Sequence, residues 1–285
     1  MAAGDTLGAW LEGLVPPRGL SPAQRRVADT IGKNQQLASF ADIAEIAERS
    51  MVSNSTVVRC AQSLGFRGWP DLKQDLRARF LAGLSTEETL SEHAADPRSA
   101  VHDAVKHDIE NLRRTLESNT PEEIDPVVSA LASARQILVT GMGSFSAPAT
   151  VMAHLGSTMG YPISLENRGG VHLATALNGM GPGDVLVVIN MWRPMRDLVT
   201  AAESAKDAGV TVIALTDMRR GRPAQLADHS LIVPSEGVSF FQSVTAATSV
   251  VYGLLSGMEA AHPERSRTAI RRTQQLWQDI GTYVD

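Results

Sequence analysis

Apolar positions in the first third of the chain recur at helical spacing. After Pro22, Val27 and Ile31 lie four residues apart in AQRRVADTIGKN and share one face of a predicted first helix. Phe40, Ile43, Ala44 and Ala47 follow i, i+3, i+4, i+7 and predict a second, short helix with Ser39 as its N-cap. The connection ERSMV leads to a third, in which Ser53 stands as cap and Val57, Cys60, Ala61 and Leu64 form the stripe until Gly65 ends it. The other face of that helix is polar and small, with Asn54, Ser55, Thr56, Arg59 and Gln62.

From residue 100 onward the pattern changes. Short apolar runs recur, ILVT at 137–140, YPISL at 161–165, DVLVVI at 184–189, TVIAL at 211–215 and SLIV at 230–233, with helical stretches between them. Gly160 and Gly209 precede strands, where a helix C-terminus takes a left-handed residue. Continuous apolar strands interleaved with helices predict a parallel sheet covered on both faces, a doubly wound, flavodoxin-like α/β domain. The expected division is an all-α domain over 1–82, a polar linker over 83–99 containing the lone His93, and the α/β domain over 100–285. A last helical stretch puts Ile270, Trp277 and Ile280 on one side, to pack on the α/β body or a partner subunit.

Composition narrows the class. A chain of 285 residues suits about two domains, and 43% hydrophobic with 20% charged residues excludes disorder as its main state. No apolar run approaches the roughly 20 residues that span a bilayer, and no basic segment opens the chain as in a secretory signal, so a cytoplasmic protein is expected. Cys60 is the single cysteine and cannot by itself form an internal disulfide or a thiolate metal site; no metal or cofactor is expected. The net charge of −5 is uneven, because residues 18–80 carry +4 and the rest −9. Nucleic acid can therefore approach the front segment and is repelled by most of the remainder.

Two short helices joined by a tight turn, the second with a polar leading end, fit a helix-turn-helix whose second helix enters the major groove. Small residues there let the backbone approach phosphates, and Asn54 or Arg59 can reach base edges. The run Ser21 to Phe80, with SPAQRRVADTI and then ADIAEIAERSMVSNSTVVRCAQSLGFRGWPDLKQDL, closely resembles the N-terminal DNA-binding domain of the RpiR family of bacterial transcription regulators. The arrangement from Ser53 through Gly65, Phe66, Gly68, Trp69, Asp71, Leu72 and Lys73 carries the likeness. It implies that Ser53, Ser55, Thr56 and Arg59 face DNA, and Asn54 joins them as a candidate. Phe66 and Trp69 are read as core, and Cys60 as a buried small hydrophobe.

In doubly wound domains ligands collect beyond the carboxyl ends of the strands. Gly141-Met-Gly143-Ser-Phe-Ser146 follows the first strand, Asn190-Met-Trp-Arg193-Pro-Met-Arg196 the third, and Thr216 and Asp217 the fourth, while EGVSFFQS precedes a long helix expected from about Ser239. The layout over roughly 125–260 resembles the SIS (sugar isomerase) domain of the same family, which implies a sensor of sugar phosphates. The usual G-x-G-x-S-G has Phe145 and Ser146 in its last two places, and the usual S-x-S-G-x-T is replaced by Asn190, Trp192, Arg193 and Met195. Hydroxyl donors are thus lost, and Gly141, Gly143, Ser144, Ser146, Asn190, Trp192, Arg193, Arg196, Ser239 and Ser243 form the candidate set for a small anionic metabolite. Phe145 and Trp192 would add stacking area. Arg193 and Arg196 could instead pair with Asp197, Trp192 could line a subunit interface, and Ser239 and Ser243 could only cap a helix.

The expected function is a DNA-binding regulator of a metabolic operon, a homodimer or homotetramer on an inverted-repeat operator of double-stranded DNA, modulated by a sugar phosphate or sugar acid, with no membrane partner and no catalytic residue. Three readings stand beside it. One is a sugar-phosphate isomerase with His172 as base. Another is a dinucleotide binder with Glu166 on a ribose. The third is a DNA-binding protein whose α/β domain only oligomerises.

Overall fold

The structure, a computed structural model, describes residues 7–85, 87, 88 and 98–282. The chain forms two compact units, Met1–Ala94 and Ala95–Asp285. Most of the linker expected over 83–99, His93 included, lies outside the described residues.

The first unit is helical: α1 Leu7–Gly13, α2 Pro22–Lys33, α3 Gln35–Phe40, α4 Ile43–Arg49, α5 Asn54–Ser63 and α6 Trp69–Gly83. Ser21 starts α2 with a reciprocal capping box, its Oγ accepting from the Gln24 N–H while the Gln24 side chain accepts from the Ser21 N–H. The helix expected from Phe40 to Ala47 is two helices. Ser39 is buried inside α3, where its hydroxyl donates to the carbonyls of Gln35 and Leu76. The cap of α4 is Asp42 instead, which accepts from the Glu45 N–H at 2.9 Å. A serine hydroxyl that bonds back to the preceding turn continues a helix and does not open one. Val27, Ile31, Ile46, Val57, Cys60, Leu72 and Leu76 are fully buried in one core, with Phe66 and Trp69 beside them as expected. Each large apolar side chain buried there contributes about 1.5–3 kcal/mol.

The second unit runs α7 Ala100–Ser118, α8 Pro121–Ser133, β1 Ile137–Thr140, α9 Ser146–Thr158, β2 Ile163–Glu166, α10 Gly170–Leu177, β3 Val185–Ile189, α11 Arg196–Asp207, β4 Thr211–Thr216, α12 Arg222–Leu226, β5 His229–Ile232, α13 Thr245–Ala261 and α14 Pro263–Ile280. The strands form one parallel sheet in the order β2-β1-β3-β4-β5. Side chains alternate across it: Ile137, Val139, Val185, Val187 and Ile189 enter one core, Leu138, Leu186 and Val188 the other. Both faces are therefore covered, which explains runs without polar interruption.

Two boundaries differ from expectation. Tyr161 precedes β2 and packs in the core, its hydroxyl donating to the Met258 carbonyl at 2.6 Å. The long helix begins at Thr245 and leaves Ser239 in the preceding loop. Of the α14 side expected to pack on the α/β body or a partner subunit, Ile270 meets the core, Trp277 is half-buried and Ile280 is exposed. Strand order reverses between β1 and β3, so the segments following these two adjacent strands flank the crevice where such folds bind ligands.

Candidate functional site

In the first unit, α4 and α5 are joined by a tight turn in which Met51 takes a left-handed φ of 52° and stands exposed. Arg26 of α2 holds the turn by donating to the carbonyls of Ser50 and Met51. Gln24 braces α5 from behind through the Arg59 carbonyl and the Ser63 hydroxyl. Sequence reading missed both braces, because their partners lie 24 or more residues away.

On α5, Ser53, Asn54, Ser55 and Arg59 are exposed while Val57, Cys60 and Ala61 are buried, so the helix turns a polar leading end outward on an apolar back. Ser53 has the extended backbone of an N-cap, but its Oγ pairs with the hydroxyls of Ser55 at 2.9 Å and Thr56 at 3.1 Å, not with a helix N–H. Thr56, expected to face DNA, is only 8% exposed; its hydroxyl accepts from the Arg59 guanidinium at 3.2 Å and so helps to orient that side chain. Burial pushes the Cys60 thiol up to about 11, as befits an inert apolar residue.

In the second unit, the segment after β1 needs its glycines. A Cβ on Gly141 would lie 2.6 Å from the Phe145 carbonyl oxygen and 3.4 Å from the Ile189 Cβ, and Gly143 has a φ of +59°. These residues make one 3-10 turn into α9, which leaves Ser144 exposed and the Ser146 hydroxyl donating to the Gly143 carbonyl. Phe145 does not offer a stacking surface, because it is buried in the core beneath this turn.

After β3, Asn190 is buried and shapes the loop itself. Its Nδ2 donates to the carbonyls of Met191 and Arg193, and its Oδ1 accepts from the Met195 N–H. Asn190 therefore positions neighbours, and its polar atoms are engaged in doing so. Trp192 takes a left-handed φ of 66° and its N–H donates to Asp217, which follows β4. The Arg193 guanidinium lies over the Trp192 ring, 4.5 Å from its centre.

Arg196 begins α11 and, with Gly170, Leu173, Asp197 and Thr200, lines a groove of about 420 Å³ between α10 and α11. The Asp197 carboxylate accepts from the Gly170 N–H at 2.8 Å, so an internal anion already occupies the N-terminus of α10. Glu166, considered for a ribose, is held by the backbone and guanidinium of Arg168, which keeps its carboxyl below the usual range. His172 is exposed in the first turn of α10.

Ser239 sits half-buried in the loop before α13, whereas the Ser243 hydroxyl donates to Asp108 and accepts from the Thr245 N–H. Asp108 also accepts from the Thr245 hydroxyl, so α7 clamps the start of α13. Alongside, Arg114 of α7 faces Glu236 at 3.6 Å with both side chains largely buried, and its charge is felt at Asp217. This charged group beside the sheet edge escaped sequence reading, since α7 precedes the first strand by a whole helix and no motif marks it.

A family model described as "Helix-turn-helix domain, rpiR family" matches residues 16–82, and one described as "SIS domain" matches residues 130–256. The HTH-type transcriptional regulator HexR of Pseudomonas aeruginosa is 28% identical over 198 residues, 69% of either chain. YfhH of Escherichia coli strain K12, described as an uncharacterized HTH-type transcriptional regulator, is 27% identical over 77% of this chain and 79% of its own. Among solved structures, the sugar isomerase domain of an RpiR transcription factor from Sphaerobacter thermophilus is 32% identical, with a TM-score of 0.60 over 62% of this chain and 99% of that one. Vibrio vulnificus NanR, solved in complex with ManNAc-6P, shares the fold at 19% identity and a TM-score of 0.61, over 98% of this chain and 100% of that one.

Proposed function

This chain belongs to the rpiR family of helix-turn-helix transcriptional regulators that carry a SIS domain, and we propose that it controls a bacterial metabolic operon in response to a small anionic metabolite. In this reading the protein binds an inverted-repeat operator as a homodimer or homotetramer. A sugar phosphate or sugar acid at the carboxyl edge of the sheet biases that binding.

The observation that carries the reading is α5, with Ser53, Asn54, Ser55 and Arg59 exposed on a helix whose opposite face is core. Hydroxyls and first-turn N–H groups suit phosphate oxygens, and a guanidinium placed one turn further along suits a guanine edge. At the sheet edge, the Arg193 guanidinium, the exposed Ser144 hydroxyl and the turn at Gly141 and Gly143 bring donors for an oxyanion to neighbouring strands. Trp192 stacks with the Arg193 guanidinium, and Arg196 lines the groove between α10 and α11. An effector acts only by binding two arrangements of the regulator unequally. Glu166, engaged with Arg168, lends no support to a dinucleotide site.

The test is a mobility-shift titration of the full chain on the duplex upstream of its own gene, with and without sugar phosphates and sugar acids. The expected result is a retarded band over a two-fold-symmetric footprint whose affinity changes with one such anion. Indifference to every such duplex, or turnover of a sugar phosphate, would overturn the reading.

A further inference from the structure

The loop between β5 and α13 displays two large apolar rings to solvent. Phe240 is 45% exposed and Phe241 53%, although aromatic side chains are normally among the more buried. They touch each other as a T-shaped pair, with ring centres 5.4 Å apart and planes at 80°.

The loop beneath these rings is held at its base. The Ser243 N–H donates to the Ser235 carbonyl at 2.8 Å and closes it. A Cβ on Gly237 would fall 2.1 Å from the Phe241 carbonyl oxygen, so glycine is what lets the two sides of the loop approach this closely. From α7, Asn111 donates to the Glu236 carbonyl at 2.8 Å, and Asp108 accepts from the Ser243 and Thr245 hydroxyls. A held loop that keeps two rings in water marks a surface that binds something.

The same loop shares an anchor with the donors for the anion. Oδ2 of Asp217 accepts from the Trp192 N–H at 2.8 Å and from the Ser235 hydroxyl at 3.4 Å. The loops that carry Arg193 and the two phenylalanines leave strands on either side of β4, and they meet at this one carboxylate oxygen.

We propose that Phe240 and Phe241 are specificity-determining residues for the effector, stacking on the apolar face of a sugar ring whose anionic group Arg193 holds. The regulator then responds to a closed-ring sugar anion and not to its open-chain counterpart. The inference rests on the effector reading above and names the form of ligand within it.

A closed pyranose gathers C–H groups on one face, and these stack on the negative face of an aromatic ring. An open polyol has no fixed face and must freeze several bond rotations to make one. The polar atoms of Asn190 and the hydroxyls of Ser146 and Ser243 are engaged within the fold, so the rings carry the recognition of the sugar body.

The test is titration calorimetry on the full chain without DNA. The probes are anhydrohexitol phosphates, locked as rings, against open-chain hexitol phosphates in the gluco, manno and galacto configurations, with methyl glucuronide against gluconate for a carboxylate. At least one ring is expected to bind roughly tenfold tighter than its open partner. Phe240→Ala with Phe241→Ala should lower that affinity to the open-chain level and leave the open chain unaffected. Its circular dichroism should match the wild type, because both residues are exposed. Phe240→Leu with Phe241→Leu should lose the preference as well, since leucine is apolar but has no ring face. Arg193→Ala should weaken ring and open chain alike.

Equal affinity for ring and open chain, or a ring preference that survives the double alanine or double leucine variant, would overturn the proposal and leave an anion sensor standing. Full affinity in Arg193→Ala would overturn it by moving the anion elsewhere. Failure of every probe to bind would reject it together with the sugar-anion reading.

Discussion

The backbone N–H of Trp192 donates to Oδ2 of Asp217 at 2.8 Å, tying the left-handed residue of the loop after β3 to the end of β4. A non-glycine residue with φ near +66° is strained by about 1–3 kcal/mol and persists only where its surroundings hold it. Asp217 is buried, and loss of hydration pushes its carboxyl up to about 6 from an ordinary value of 3.8. A folded-state value above the unfolded one means that the group favours folding below the unfolded value, and that this contribution fades as pH rises through about 6. Asp217→Asn keeps an acceptor for Trp192 and removes the titration. The wild type should lose about 2–3 kcal/mol between pH 4 and pH 7 through this group; the variant should lack that component and be the more stable relative to wild type at pH 8. Parallel stability curves for the two proteins across this range would contradict it.

Arg59 is exposed and holds only Thr56 among the side-chain contacts described. Replacing it with Ala should weaken operator binding by about 1–3 kcal/mol, roughly ten- to a hundredfold, while the thermal midpoint stays nearly constant. A mobility shift indistinguishable from wild type would remove Arg59 from the DNA contact.

Arg193 rides on the Trp192 ring at the surface, so its loss should spare the fold. Arg193→Ala is expected to bind the operator with unchanged affinity and to lose the response to the anionic effector. A normal effector response would place the anion elsewhere.

Asn190 makes three hydrogen bonds within its own loop from a buried position. Asn190→Ala leaves two carbonyls and one N–H to find other partners, and should lower stability by about 2–4 kcal/mol. Urea denaturation measures the loss; a change below about 0.5 kcal/mol would show that the loop holds without it.

Cys60 is buried with its thiol held near 11, so its thiolate is scarce at pH 8. Alkylation of the native protein should be at least a hundredfold slower than in denaturant. Equal rates would mean that α5 opens readily from its core.

What the sequence determined by itself was periodicity and chirality. Val57, Cys60, Ala61 and Leu64 recur at helical spacing because one face must be buried, and the same stripe leaves Ser53, Asn54, Ser55 and Arg59 outward. The runs from Ile137, Val185 and Thr211 lack polar interruption because the sheet is covered twice, and Gly160 and Gly209 adopt positive φ where helices hand over to strands.

Only the tertiary structure decided where polar groups find partners, because those partners are distant in the chain and no local pattern encodes them. It turned Asn190 toward its own loop, sank Phe145 and Thr56, bound Ser243 to Asp108 across 135 residues and gave Asp197 to the first N–H of α10. Helical and strand periods report which face is apolar. The pairing of a buried hydroxyl, amide or carboxylate depends on what the fold brings within about 3 Å of it.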